Sequence, residues 1–328
     1  MNRRQRLEAA VQGGHPDRVP VGAWGHYYPQ ETSAVGLADA MVGLFERHDL
    51  DFMKVHARAS YHVEGWGFTY ERSDDPARLH RCTGHPITGP EAWRTLRPLP
   101  MSTPALAEQI EAIRLIRARL PADTPLIMTV FSPLDSAEKL VDRDAALLRS
   151  HLETAPDAAE QGLAAIADTF ARFVALLPAE GVDGIYFSTK WANDRKLPPG
   201  SYQRLVRRYD LQVLEAARGM WCNIAHLCED AIQLEAMADY PVQVFHWDAH
   251  TPNNPGLAAG QRRLGRAVGG GVDSATLARG TPAEVRAKAR AAIEDLDGRN
   301  LILGPGCSIQ VAITPEANLR ALREASNG

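Results

Sequence analysis

Cys222-Asn223-Ile224-Ala225-His226-Leu227-Cys228 reads as a strand over Cys222–Leu227 that delivers reactive side chains at its end. Functional groups gathered at the C-terminal ends of short apolar strands are the mark of a parallel α/β architecture. Seven further runs share the pattern: Val19–Trp24, Phe52–His56, Leu126–Phe131, Gly184–Ser188, Gln243–Trp247, Arg266–Gly271 and Leu301–Gly304. Each is rich in Val, Ile, Leu or Phe and bounded by Gly, Pro, Asp or Asn. Amphipathic helical stretches lie between them, among them Tyr202–Arg218, Pro282–Leu296 and Pro315–Glu324. Thr281-Pro282-Ala283-Glu284 supplies an N-cap, a first-turn proline and a capping-box glutamate, and Thr314-Pro315-Glu316 is expected to open the last helix similarly. About eight strand–helix units is the count that a (β/α)8 TIM barrel requires. A doubly wound sheet is the rival, but its glycine-rich turn after the first strand is replaced here by Trp24-Gly25-His26-Tyr27-Tyr28-Pro29.

The 328 residues suit a single barrel domain, 1–328, and 45% hydrophobic with 23% charged residues supports a large core. Thirty-six basic against 40 acidic side chains give a net charge of −4, with the signs mixed along the chain, so neither nucleic acid nor a membrane surface is implied. The basic start leads into a polar helical pattern rather than an apolar segment, and no uninterrupted apolar run approaches membrane-spanning length. A cytoplasmic protein is expected, with its four cysteines as buried thiols, ligands or nucleophiles. Two stretches break the rhythm and read as insertions after the second and third strands. Arg58–Pro100 carries a hairpin-like alternation over Tyr61–Tyr70, and Ser132–Pro156 carries a helix over Ala137–His151 that could serve as a lid. Ordinary outer decoration is the alternative for both.

His226 and Cys228 are two apart, so on a strand they face the same side and can hold one ion. Gly304-Pro305-Gly306-Cys307 brings a third soft donor to the end of the last strand. One imidazole and two thiolates suit Zn²⁺, and three protein ligands leave a position open for chemistry. The alternative is a satisfied histidine and two small buried thiols. Lys54 and His56 share one side of their strand and are candidate catalytic residues with Asp248, since a lysine aimed into a barrel needs a partner or a purpose. His26, Tyr27, Ser188, Lys190, Trp191 and Gly270 are candidate substrate contacts, with Trp191 as a stacking ring and Gly270 as a point of close backbone approach. Asp248 is the acid expected to fix the tautomer of a metal-bound histidine or to hold substrate, and His246 or His250 could add a ligand. Cys222 reads as a core thiol, and Cys82 has no partner spacing.

Read in order, Arg6-Leu7, Pro16-Asp17-Arg18-Val19-Pro20-Val21, Gly181-Val182-Asp183, His226-Leu227-Cys228, Gly269-Gly270-Gly271-Val272-Asp273, Gly280–Val285, Leu303–Cys307 and Thr314–Leu319 resemble the uroporphyrinogen decarboxylase superfamily. The resemblance implies a single barrel. Decarboxylases of that superfamily present paired arginines after the first strand and a histidine near the end of the last; this chain has no arginine in Trp24–Pro29 and has Cys307 in the second place. It sides with the methylcobalamin:coenzyme M methyltransferases, whose His-x-Cys and later Cys map onto His226, Cys228 and Cys307. The resemblance therefore implies a zinc-dependent methyl (alkyl) transferase that activates a thiol or similar soft nucleophile, with a corrinoid, or a corrinoid protein as partner, among the methyl carriers. Glu229-Asp230 depart from the glycine usual after the ligand cysteine; they either repel an anionic thiol or lie at a helix N-terminus, where acids are favoured. A decarboxylase or lyase of a small acid on the same scaffold, and a non-catalytic corrinoid- or metal-binding protein, are the competing readings.

Overall fold

A computed structural model describes residues 1–198 and 200–327. Its strands, in chain order, are β1 (Met53–Val55), β2 (Thr69–Glu71), β3 (Arg81–Gly84), β4 (Leu126–Phe131), β5 (Gly184–Thr189), β6 (Ile224–Leu227), β7 (Val244–His246), β8 (Ala267–Val272) and β9 (Leu301–Pro305). Seven of them form one curled parallel sheet in the order β1-β4-β5-β6-β7-β8-β9, while β2 and β3 pair separately. Neighbouring strands follow one another in the chain because helical crossovers return it each time to the same end of the sheet.

Val19–Trp24, expected as the first strand, is reduced to isolated contacts. Val21 bridges Leu303 in parallel and Gly25 bridges Ile309, while the Val21 carbonyl accepts the Asp51 N–H at 2.9 Å. The segment thus touches both edges of the seven-stranded sheet. Asp51, fully buried, fixes it there: its carboxylate accepts from Val21 N at 2.8 Å, from Arg6 Nη1 at 2.8 Å and from both terminal nitrogens of Arg18 at 2.6 and 2.8 Å.

Inside the curl, one inner layer of apolar side chains is drawn from nearly every stave: Trp24, Phe52, Ile127, Tyr186, Cys222, Ile224, Val244, Ala267 and Ile302. Cys222 is a core thiol there, as its strand position suggested. A larger cluster fills the space between sheet and helices. The segment Pro156–Glu180 is long and apolar enough, by length and composition, to cross a membrane. In the fold its Phe170, Phe173 and Val174 are fully buried among other core residues.

Local signals were read with mixed success. The Thr281 capping box forms, Glu284 and Thr281 each bonding the other's backbone N–H, whereas Pro315 itself caps the last helix and Thr314 bonds back to the Gln310 carbonyl. The helix expected over Ala137–His151 is split into Pro133–Leu140 and Ala145–Thr154, because Asp142 and Arg143 take positive φ of 56° and 63°. Every residue of the first piece is buried, so it is a packed element rather than a loose lid. Tyr202–Arg218 likewise divides into Ser201–Leu205 and Arg207–Ala216. The hairpin expected at Tyr61–Tyr70 lies later, as β2 and β3; Glu64–Trp66 is a 3-10 turn.

Replacing Asp51 by alanine would leave two guanidinium groups without their buried counter-ion. We expect a loss of about 3–5 kcal/mol, read as a lowered urea midpoint at unchanged slope.

Candidate metal and substrate site

The C-terminal ends of the parallel strands converge on a cavity of about 150 Å³. It is lined by Trp24, His26, Lys54, His56, Ala59, Thr129, Phe131, Asp135, Tyr186, Ser188, Lys190, His226, Cys228, Cys307 and Ser308. Strand register explains the meeting. Ser188, His226 and His246 are adjacent across β5, β6 and β7, and Cys307 arrives two residues beyond β9.

His226 Nε2, Cys228 Sγ and Cys307 Sγ all lie within 4.8 Å of one another. The two sulfurs are 3.8 Å apart, and Cys307 Sγ is 3.7 Å from the imidazole nitrogen. A tetrahedral zinc with bonds of about 2.3 Å to sulfur and 2.0–2.1 Å to nitrogen has edges of roughly 3.8 Å between sulfurs and 3.6 Å from sulfur to nitrogen. The spacing and the chemistry of this donor set therefore fit Zn²⁺.

A relay fixes the imidazole. His246 Nε2 meets the Pro305 carbonyl at 2.9 Å; a carbonyl only accepts, so the His246 proton sits on Nε2 and its Nδ1 is an acceptor. His226 Nδ1 therefore donates, 2.8 Å from His246 Nδ1 and 3.2 Å from the His246 carbonyl, and the Tyr186 hydroxyl approaches the same acceptor at 3.1 Å. The His226 Nε2 lone pair is left facing the two sulfurs. Burial holds His246 well below the ordinary imidazole range, which keeps it neutral for this role. Gly269 makes room for the relay, since a Cβ there would meet His246 Cδ2 at 2.8 Å.

The two thiols act as one acid pair. A hydrogen bond from Cys228, followed by the nearness of His226, holds Cys307 well below the usual thiol range; Cys228 is raised by the same bond and by burial. The pair gives up its first proton readily and keeps the second. Opposite, Lys54 is pushed down to about 7 by burial; its Nζ lies 2.8 Å from His56 Nδ1 and 4.2 Å from the centre of the Tyr186 ring. Burial drives His56 well below its ordinary value as well.

Of the residues singled out in the sequence, His26, Lys54, His56, Ser188, Lys190, His226, Cys228 and Cys307 line this one cavity. Four do not. Trp191 is fully buried behind it, its indole N–H donating to Glu138 at 2.9 Å, and Glu138 in turn pairs with Lys190 at 3.3 Å. Tyr27 packs on the outer core and interacts with Arg47. Gly270 turns its backbone against the Trp247 carbonyl at a φ of 130°. Asp248 accepts from the His250 N–H and reaches neither histidine of the relay, because β7 ends at His246 and the alternation expected to carry on to Asp248 stops there. The tautomer-fixing role expected of Asp248 falls to His246. His246 is not free to coordinate, since the relay occupies both of its nitrogens; His250 donates from Nε2 to the Gly271 carbonyl at 3.0 Å and does not line this cavity. Glu229 and Asp230 are not at a helix N-terminus but in a turn, with Glu229 at φ 74° and 3.5 Å from Lys196, and Asp230 paired with Arg195 and Asn253. Tyr186, Thr129, Phe131 and Asp135 were missed. Tyr186 was within reach of sequence reasoning, since it shares strand parity with Ser188.

Comparison with known proteins follows the same lines. A family model described as "Uroporphyrinogen decarboxylase (URO-D)" matches residues 2–328. A uroporphyrinogen decarboxylase from Synechococcus sp. (strain JA-3-3Ab) is 27% identical over 181 residues, 54% of this chain and 48% of that protein; the chain thus spans about half the length of this curated relative. Among solved structures, a methyltransferase from Methanosarcina mazei superposes with a TM-score of 0.85 at 22% identity, over 99% of this chain and 98% of that one. A B12-independent methionine synthase from Shewanella sp. W3-18-1, in complex with selenomethionine, superposes with a TM-score of 0.58 at 15% identity, over 94% and 95%.

Elemental analysis of the purified protein is expected to find about one zinc per chain, lost in Cys307→Ser. His246→Leu should weaken zinc binding by roughly tenfold, the low end for loss of a ligand's orienting partner, because the residue 246 carbonyl remains as acceptor. Competition with a chromophoric chelator measures both.

Proposed function

The chain belongs to the uroporphyrinogen decarboxylase family, and from that premise we propose a zinc-dependent methyl (alkyl) transferase that activates a thiol or similar soft nucleophile. One observation carries the reading: an imidazole nitrogen and two sulfurs, from the ends of β6 and β9, converge within 4.8 Å of one another on the wall of one cavity, with Cys307 at tetrahedral spacing from both partners. We read the scaffold as a complete (β/α)8 barrel, the Val21 contacts with Leu303 and Asp51 supplying the eighth stave, and the segments after β1 and β4 as site-covering insertions. The arrangement that holds His226 in one tautomer, and the fold shared with a methyltransferase, support the proposal. A cytoplasmic setting belongs to it as well.

His226, Cys228 and Cys307 would hold the metal. When bound, zinc would supply a coordination position at which an acceptor thiol is favoured as thiolate. Lys54, lowered to about 7, stands in the same cavity to take the proton that the thiol gives up. Trp24, Phe131 and Tyr186 exclude water around the sulfur and preserve its nucleophilicity. A carbon–sulfur bond then forms as the bond from the methyl group to its donor breaks, the electron pair leaving with the donor. His26 and Ser308 line this cavity and also an outer one of about 350 Å³, which gives the donor, a corrinoid or a corrinoid protein in this proposal, its side of approach.

Zinc-loaded protein should accelerate the demethylation of methylcobalamin by added thiols, followed by the cobalamin spectrum, and Cys307→Ser should lower that rate by roughly two orders of magnitude or more. Full zinc with no thiol-dependent turnover of any methyl donor would favour the binding-protein reading instead.

A further inference from the structure

The inner cavity has a second polar feature, on the wall formed by the end of β1. Lys54 is 3% exposed, and its Nζ lies 2.8 Å from His56 Nδ1. Once Lys54 has taken the thiol's proton it is an ammonium, which only donates, so with substrate thiolate bound His56 Nδ1 accepts and its proton resides on Nε2. That Nε2 is buried and has no hydrogen-bond partner. Nearby, His26 is edge-on to His56 with ring centres 4.3 Å apart and turns its Nδ1 to Glu31 at 2.9 Å, and Asp135 accepts from Ser132 Oγ and from the Lys190 N–H. An unpaired buried donor beside a substrate cavity calls for an acceptor on the substrate.

Charge decides what kind of acceptor. Two cysteine thiolates balance a divalent zinc, and a substrate thiolate adds one negative charge, which Lys54 offsets. Of the remaining nearby charges, Lys190 and Lys196 are matched with Glu138 at 3.3 Å and with Asp135. Lys139 bonds the Ala59 carbonyl, and burial holds it well below the usual lysine range. Glu31, fully buried, holds the Nδ1 of His26 at 2.9 Å. An anionic tail would enter this site without a free counter-ion, at high cost. A volume of about 150 Å³ is that of a cavity known to hold benzene, so about six heavy atoms fit.

We propose that the acceptor is a short thiol whose tail ends in an uncharged hydrogen-bond-accepting group, such as an amide or ketone carbonyl, and that His56 Nε2–H is the specificity-determining contact to it. This rests on the zinc–thiol reading above.

Three thiols of six heavy atoms test it: 3-mercaptopropionamide, 3-mercaptopropionate and 3-methylbutane-1-thiol. Each is titrated into cobalt(II)-substituted protein, and binding is read from the increment it adds to the sulfur-to-cobalt charge-transfer band that Cys228 and Cys307 already give. The amide should bind at least tenfold more tightly than both the carboxylate and the hydrocarbon. His56→Phe should erase its advantage over the hydrocarbon while the band persists. A carboxylate that binds as well as the amide, or an amide preference that survives His56→Phe, overturns the inference and leaves the zinc–thiol reading standing. If no thiol changes the band, that reading itself falls and this one with it. The ranking on the unaltered protein decides the matter should the variant fold poorly.

Discussion

One buried carboxylate joins the beginning of this chain to its end. Asp51 takes hydrogen bonds from Arg6, Arg18 and the Val21 backbone, so the first helix, the first extended segment and the start of β1 are drawn to a single point. Val21 can then lie beside Leu303. That contact backs β9 on the side away from β8, with which it pairs along its whole length, and β9 leads to Cys307. Several kcal/mol of desolvation go into such a cluster, and only the multiplicity of its hydrogen bonds offsets them. The site at the far end of the strands is therefore assembled on a clasp at the near end.

At the strand ends the governing constraint is directional rather than energetic. A carbonyl cannot donate, and from that single fact the Pro305 oxygen fixes the proton of His246, which fixes the proton of His226 and points its lone pair at two sulfurs. The same logic runs on the opposite wall, where Lys54, once it holds the thiol's proton, fixes His56. Two imidazoles facing one small cavity are thus given opposite tasks by their partners, His226 offering an electron pair and His56 a proton.

Legibility in the sequence followed the range of the interactions. Strand parity placed His226 with Cys228 and Lys54 with His56, because alternation is a property of the local backbone. The Thr281 capping box was equally local and formed as read. What failed depended on partners far along the chain or on where an element stops. The role given to Asp248 assumed one more strand residue than β7 possesses. Trp191 was offered as a stacking platform, but its indole satisfies Glu138, on a helix that sequence reasoning had drawn in the wrong place. The break in that helix turns on positive φ at Asp142 and Arg143, which composition at Arg143 does nothing to announce. The family assignment came from the order of many weak motifs, and it extends over the whole described chain.

Two sulfurs 3.8 Å apart, one of them readily a thiolate, are also a redox liability. A disulfide needs them at about 2.0 Å, a short displacement for two side chains, and a thiolate beside a thiol is the pairing that oxidants close. A cation seated between the sulfurs keeps them apart and withholds their electron pairs, so metal occupancy and resistance to air would rise and fall together. Stripped of metal under oxygen, the protein would lock its own ligands to each other and forfeit the capacity to reload until a reductant released them.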